Sequence, residues 1–143
     1  MAKLFGKVIP LQLLKEINED LMYDLKSIEL YEDTLSTLQT LKKYGFQIAL
    51  CSNLAMPYGE RLKTIFPSIF DAVFLSYEVG AIKPDQQIYE VIKAHFSCEM
   101  TEILFIGDHP ILDFEKPISL GMSARLIERH SEQNLSDVIH DLI

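Results

Sequence analysis

Apolar residues recur at helical spacing from the eleventh residue onward. Leu11, Leu14, Ile17, Leu21, Leu25 and Ile28 fall three or four apart, which predicts an amphipathic helix over about 10–26 with Pro10 at its start. After an irregular stretch, Leu35, Leu38 and Leu41 stripe a second helix over about 33–44. Glu32 and Asp33 suit its positive end, Lys42 and Lys43 its negative end, and Gly45 stands where it must stop. The period then changes. Short apolar runs at 46–51, 72–75, 103–106 and 123–127 read as strands buried on both faces. Between them lie helices ending near Phe66-Pro67, spanning about 85–95 and ending at Gly121, and Ser131 or Asn134 caps a closing helix. Strands alternating with helices predict parallel pairing and right-handed crossovers, hence a three-layer α/β architecture. In such sheets the polar residues closing the strands, Ser52 and Asp108, converge at the carboxyl edge, where open α/β folds bind ligands.

Composition narrows the function classes. At 143 residues, 48% of them hydrophobic, the chain has the makings of one domain with a real core. A net charge of −8 with scattered basic residues excludes a broad nucleic-acid or anionic-membrane surface. No apolar run approaches the roughly 20 residues that span a bilayer, and the first residues hold no secretory apolar stretch. A cytoplasmic location is the expectation. The two cysteines, Cys51 and Cys98, form no CxxC pair and lie at no zinc-ligand spacing. Cys51 reads as a small buried hydrophobe.

Three elements could carry chemistry. Ser52-Asn53, at the mouth of a buried strand, offers a hydroxyl and backbone N–H groups as a neutral anion cradle, although taken alone such a pair is more often a plain turn. Lys83, in the turn before Pro84-Asp85, is placed either to meet a phosphoryl group as a point charge or simply to be solvated. Gly107-Asp108 followed by Asp113 sets two carboxylates five apart across a strand end. That pair can face one Mg²⁺, or Asp108 can be a helix cap and Asp113 a solvated acid.

Taken in order along about Leu35–Ile127, these elements resemble the haloacid dehalogenase (HAD) superfamily of aspartate-nucleophile hydrolases, in its helical-cap phosphatase and dehalogenase branch. Ser52 falls on that family's second motif, Lys83 on its third, and Asp108 with Asp113 on its fourth. The resemblance implies a Rossmann-like parallel sheet and Mg²⁺-assisted displacement at phosphorus. Ser52, Asn53 and Lys83 would hold the phosphoryl group, Lys83 and Asp108 would serve catalysis, and Asp108 and Asp113 would anchor the metal.

One part of the family pattern is missing. The first motif, Asp-x-Asp at the end of a preceding strand, occurs nowhere in these 143 residues. On the resemblance, residues 1–30 are the remnant of a helical cap and 31–143 the HAD-like core, without its usual first central strand. A phosphate site with weak Mg²⁺ binding and impaired turnover is one expectation, leaving enzymatic activity open. The alternatives are a phosphohydrolase completed by an upstream segment or partner chain, and a non-enzymatic homodimeric interaction domain. A small phosphorylated molecule is the expected ligand. The gap in the sheet would close by direct pairing of its neighbours, by residues 3–9, or by a partner's strand. Two smaller departures stand out: Lys116-Pro117 delays or bends the helix that follows Asp113, and His109 reads as an exposed turn residue.

Overall fold

Helix caps and buried apolar runs set the order of elements. A computed structural model describes residues 10–66 and 68–143, together with the backbone of residues 3–4 and 7–8. Lys3–Leu4 (β1) and Lys7–Val8 (β2) pair antiparallel with each other. Among the described residues these two strands do not pair with those downstream; residues 5, 6 and 9 of the opening segment lie outside the described residues. Helix α1, Leu11–Ser27, begins after Pro10 as the spacing predicts. Its stripe, however, buries no residue completely. Leu11 and Ile17 are exposed, and Leu14, Leu21, Leu25 and Ile28 are half-covered.

Helix α2, Thr34–Lys43, stops at Gly45, whose φ of +87° is open to glycine at little cost. The Phe46 N–H then folds back onto the Leu41 carbonyl, and the Ile48 N–H donates to the Asp71 carboxylate at 2.6 Å. These contacts use up the first half of the predicted strand, so β3 runs only from Ala49 to Ser52. Helix α3, Met56–Ile65, follows, and Pro67, beyond it, lies outside the described residues. Strand β4, Ala72–Leu75, leads directly into a single turn, α4, Ser76–Val79, which Gly80 ends at φ +75°. Helix α5, Gln86–Phe96, carries Ile88, Tyr89 and Ile92 inward. Strand β5, Leu104–Gly107, is followed by a π-helical turn at Pro110–Glu115 and by α6, Lys116–Ser119. The late α-helical start places Pro117 in the first turn, where its missing N–H costs nothing. Strand β6, Ser123–Leu126, and α7, Leu135–Ile139, complete the order, with Asn134 and Asp137 forming the capping box of α7.

Both β3–β4 and β5–β6 are parallel, in register Ala49 with Ala72 through Ser52 with Leu75, and Leu104 with Ser123 through Gly107 with Leu126. The α/β class and the parallel pairing hold. A continuous sheet does not: among the described residues β3 and β5 do not pair, so direct closure of the gap is absent. The two pairs share their packing instead. One cluster holds Phe74 of β4, Ile88, Tyr89 and Ile92 of α5, and Phe105 of β5. On the other side, Leu41 of α2 and Leu135 of α7 pack against both the cluster around Ile48 and the cluster around Ile127 and Ile139.

Asp33 fastens the first core helix to the last. Its carboxylate accepts from Arg129 at 2.9 and 3.1 Å and from the Leu135 N–H at 2.5 Å. The Arg129 guanidinium also lies 4.1 Å from the Tyr31 ring centroid. Burial pushes the Asp33 carboxyl up, but the Leu135 N–H and the Arg129 charge outweigh it and hold the group below the ordinary carboxylate range. A depressed carboxylate adds stability above its unfolded pKa and loses it as pH falls through the folded value. Asp33→Asn should therefore cost about 2 kcal/mol at pH 7, and the difference from wild type should shrink as the pH drops below about 4, read by urea denaturation across pH.

Candidate active site at the carboxyl edge

The loop leaving β3 is held by two clamps. The buried Ser76 hydroxyl accepts from the Leu54 N–H at 3.1 Å and donates to the Leu54 carbonyl at 3.2 Å. The Asn53 side chain donates to the Lys83 carbonyl and accepts from the Lys83 N–H, both at 2.8 Å. Asn53 thus spends its amide on fixing the Lys83 backbone rather than facing outward. The Lys83–Pro84 peptide bond is cis.

So held, Lys83 sends its ammonium across to the other strand pair. Nζ lies 2.5 Å from Asp113 Oδ1, and the two side chains are only 9% and 7% exposed. The ammonium also sits 5.5 Å from the Phe105 ring centroid. The second oxygen of Asp113 accepts from the His109 N–H at 3.1 Å, and the Asp113 N–H donates to the His109 carbonyl at 2.9 Å. The His109 imidazole adds a cap: Nδ1 accepts from the Ile111 and Leu112 N–H groups at 3.2 and 3.3 Å. In its neutral form that leaves the proton on Nε2. Tyr89, fully buried, donates to the Leu112 carbonyl at 2.6 Å and fixes the same turn from below.

The structure therefore joins Asn53, Lys83 and Asp113 by direct contact. Ser52 and Asp108 are the chain neighbours of Asn53 and His109 respectively. The Asp108 carboxylate is exposed and takes no ion pair or hydrogen bond among the described residues, and the Ser52 hydroxyl is likewise unengaged there. Burial drives the Cys51 thiol up to about 11, so it stays protonated and inert, as its place in the apolar run suggests. Ser76, Tyr89 and the capping role of His109 were not read from the sequence. Ser76 and Tyr89 look like ordinary polar interruptions there, and a cap made by a ring nitrogen has no spacing signature. The hollow of about 420 Å³ beside α1 is lined by Lys15, Asn18, Glu19, Met22, Tyr23 and Lys26 and includes none of these residues.

Residues 3–126 match the haloacid dehalogenase-like hydrolase family. The chain belongs to that family. The HAD relatives include the glyceraldehyde 3-phosphate phosphatase of Methanothermobacter thermautotrophicus, 31% identical over 118 residues, which cover 76% of this chain and 52% of that protein. A second is the phosphoserine phosphatase of Thermus thermophilus, 25% identical over 80% of this chain and 47% of that one. Among solved structures, a HAD phosphatase from Thermococcus onnurineus superposes with a TM-score of 0.71 at 27% identity, covering 83% of this chain and 56% of the other. A HAD family enzyme from Bacteroides thetaiotaomicron, in complex with magnesium and inorganic phosphate, shares the fold at a TM-score of 0.64 and 23% identity, over 71% of this chain and 54% of that one. The chain spans about half the length of the curated relatives it matches. Among the described residues no helix is long and apolar enough to cross a membrane.

Gly107 gives the site a direct steric test. A Cβ added there would fall inside contact distance of the Asp113 side chain. Gly107→Ala should displace Asp113 from Lys83 and lower stability by about 1–3 kcal/mol, measured by denaturant unfolding. The neighbouring Gly80→Ala, strained only through its own positive φ, should leave the Asp113 environment unchanged by NMR.

Proposed function

We propose that this HAD-like domain binds the phosphoryl group of a small phosphorylated molecule at its carboxyl edge, and that the 143 residues alone turn it over poorly if at all. The observation that carries this reading is Lys83: its backbone is locked by Asn53 and its ammonium is held at the strand ends by Asp113. An ammonium has three donors, so the Asp113 contact leaves two for phosphoryl oxygens. Ser52, next to Asn53 in the chain, supplies a hydroxyl in this reading, and the Asn53–Ala55 loop runs straight into the N-terminus of α3. Lys83 thus neutralises charge, Ser52 and the loop backbone orient the oxygens, and Asn53 acts by positioning Lys83. No carboxylate nucleophile joins them, because Asp-x-Asp is absent from the sequence and the buried carboxylate at hand, Asp113, is committed to Lys83 and the His109 N–H. The phosphatase names of the relatives support the ligand class.

Mg²⁺ fits the donor chemistry in kind, since it is held by one or two carboxylates with waters and substrate oxygens completing the shell. Asp108 would be its main protein ligand and Asp113 the second. When bound, the ion would offset negative charge on the phosphoryl group. Both Asp113 oxygens already accept hydrogen bonds, and no group of three or more His, Cys, Asp or Glu side chains gathers among the described residues, so weak binding follows. Residues 1–30 belong in this reading to a cap remnant, and 31–143 to the core.

Inorganic phosphate titrated into the pure protein should shift the amide signals of residues 52–54 and 83 in NMR spectra. Lys83→Met should weaken that binding by about tenfold or more, the scale of one charge-assisted hydrogen bond lost. Hydrolysis of p-nitrophenyl phosphate should stay near background with added Mg²⁺. Fast hydrolysis that Asp108→Ala abolishes would overturn the impaired-turnover reading while leaving the phosphate site intact.

A further inference from the structure

Three consecutive residues where β4 meets α4 seat helix α3 and the loop before it. Leu75, fully buried, and the ring of Tyr77 press on Gly59 of α3. A Cβ built at Gly59 would stand 2.8 Å from Leu75 Cδ1 and 2.5 Å from Tyr77 Cε1. Between these two, Ser76 turns its hydroxyl onto the loop, accepting from the Leu54 N–H and donating to the Leu54 carbonyl. The Tyr77 hydroxyl donates to Glu60 at 2.8 Å, and Lys63, one turn further along α3, bridges Glu60 and Glu78.

These contacts are of two kinds. The ion pairs of Lys63 are open to water, where such pairs contribute little. Gly59 and Ser76 are buried, and each fixes a distance. A glycine weakens a helix interior, so what it provides here is close approach of α3 to β4. It lies one turn inside the N-terminus of α3, whose first N–H groups have no partner within the helix. Ser76 occupies the Leu54 N–H, while the Ala55 and Met56 N–H groups find no backbone acceptor among the described residues. The chain that carries Ser76 then runs on through Gly80 to Lys83, so one short stretch places both the start of α3 and the ammonium.

We infer that Ser76 and Gly59 are positioning residues for the phosphoryl group, holding the start of α3 where one oxyanion meets both its N–H groups and Lys83. Neither residue touches the ligand. The inference rests on the reading of the carboxyl edge as a phosphate site, and adds that affinity depends on how α3 is seated on the end of β4. Ser76 acts through one hydroxyl that makes two bonds, and Gly59 through the side chain it lacks.

Inorganic phosphate is titrated into the full chain and into its Ser76→Ala and Gly59→Ala variants, with the amides of residues 52–56, Lys83 and His109 followed by NMR. The unaltered chain should respond at 52–56 and at Lys83. Each variant should bind about five- to tenfold more weakly, the scale of one hydrogen bond, with the response at Ala55 and Met56 reduced relative to that at Lys83. The His109 amide should keep its place before phosphate is added, because Asp113 still accepts from it. The titration follows folded chain, so a variant that is only less stable keeps both its affinity and its pattern of responses. Unchanged affinity in folded Ser76→Ala overturns the inference, and so does a loss shared evenly by Lys83 and the start of α3. A loss accompanied by a displaced His109 amide overturns it as well, since the defect would then lie in the Lys83–Asp113 pair. Where Gly59→Ala does not fold, Ser76→Ala decides alone, because removing a hydroxyl introduces no clash. An unaltered chain with no response to phosphate would instead overturn the phosphate-site reading, and this inference with it.

Discussion

The Lys83–Asp113 ion pair, almost withdrawn from water, is the constraint around which the rest of the molecule is arranged. Breaking a buried pair leaves a charge with no partner, at a cost of about 3–5 kcal/mol, so the surrounding structure exists to keep both ends in place. Asn53 holds the lysine by its backbone, His109 holds the second oxygen of the aspartate, and Tyr89 holds the turn between them. Because Lys83 follows β4 and Asp113 follows β5, the same contact ties the ends of two strand pairs that share no ladder. The pair is thus a structural fastening between the two strand pairs.

The two pairs are joined elsewhere by less specific means. Apolar clusters run under and over both, and Asp33 brings Arg129 and the start of α7 back to α2. These contacts fix which faces meet but leave the strand edges themselves unmatched.

Much of this was legible in the order of residues. Capping glycines, the acid-first and base-last charge of the second helix, and four short apolar runs located most of the elements to within a few residues. Their alternation implied parallel pairing. Pro117 correctly announced a late helix after Asp113, because a missing N–H has an unambiguous consequence. What escaped was governed by contacts far apart in sequence. β3 begins late because the Asp71 carboxylate, more than twenty residues away, takes the Ile48 N–H. The stripe of α1 is a true helical period, but periodicity says only which face is apolar and not what covers it. Asn53 was noticed as a residue beside a ligand, and His109 as an exposed turn residue. Which of their atoms would be spent on the backbone is decided by the turns they close, and no residue spacing encodes that.

A double-mutant cycle on Lys83→Met and Asp113→Leu, read as unfolding free energy at pH 7, tests the central claim most directly. If the pair is the fastening described, each single change costs about 3 kcal/mol or more while the double change costs less than the sum of the two by at least about 2 kcal/mol. Additive losses would mean that the two side chains do not depend on each other, and the carboxyl edge would then not be organised around them.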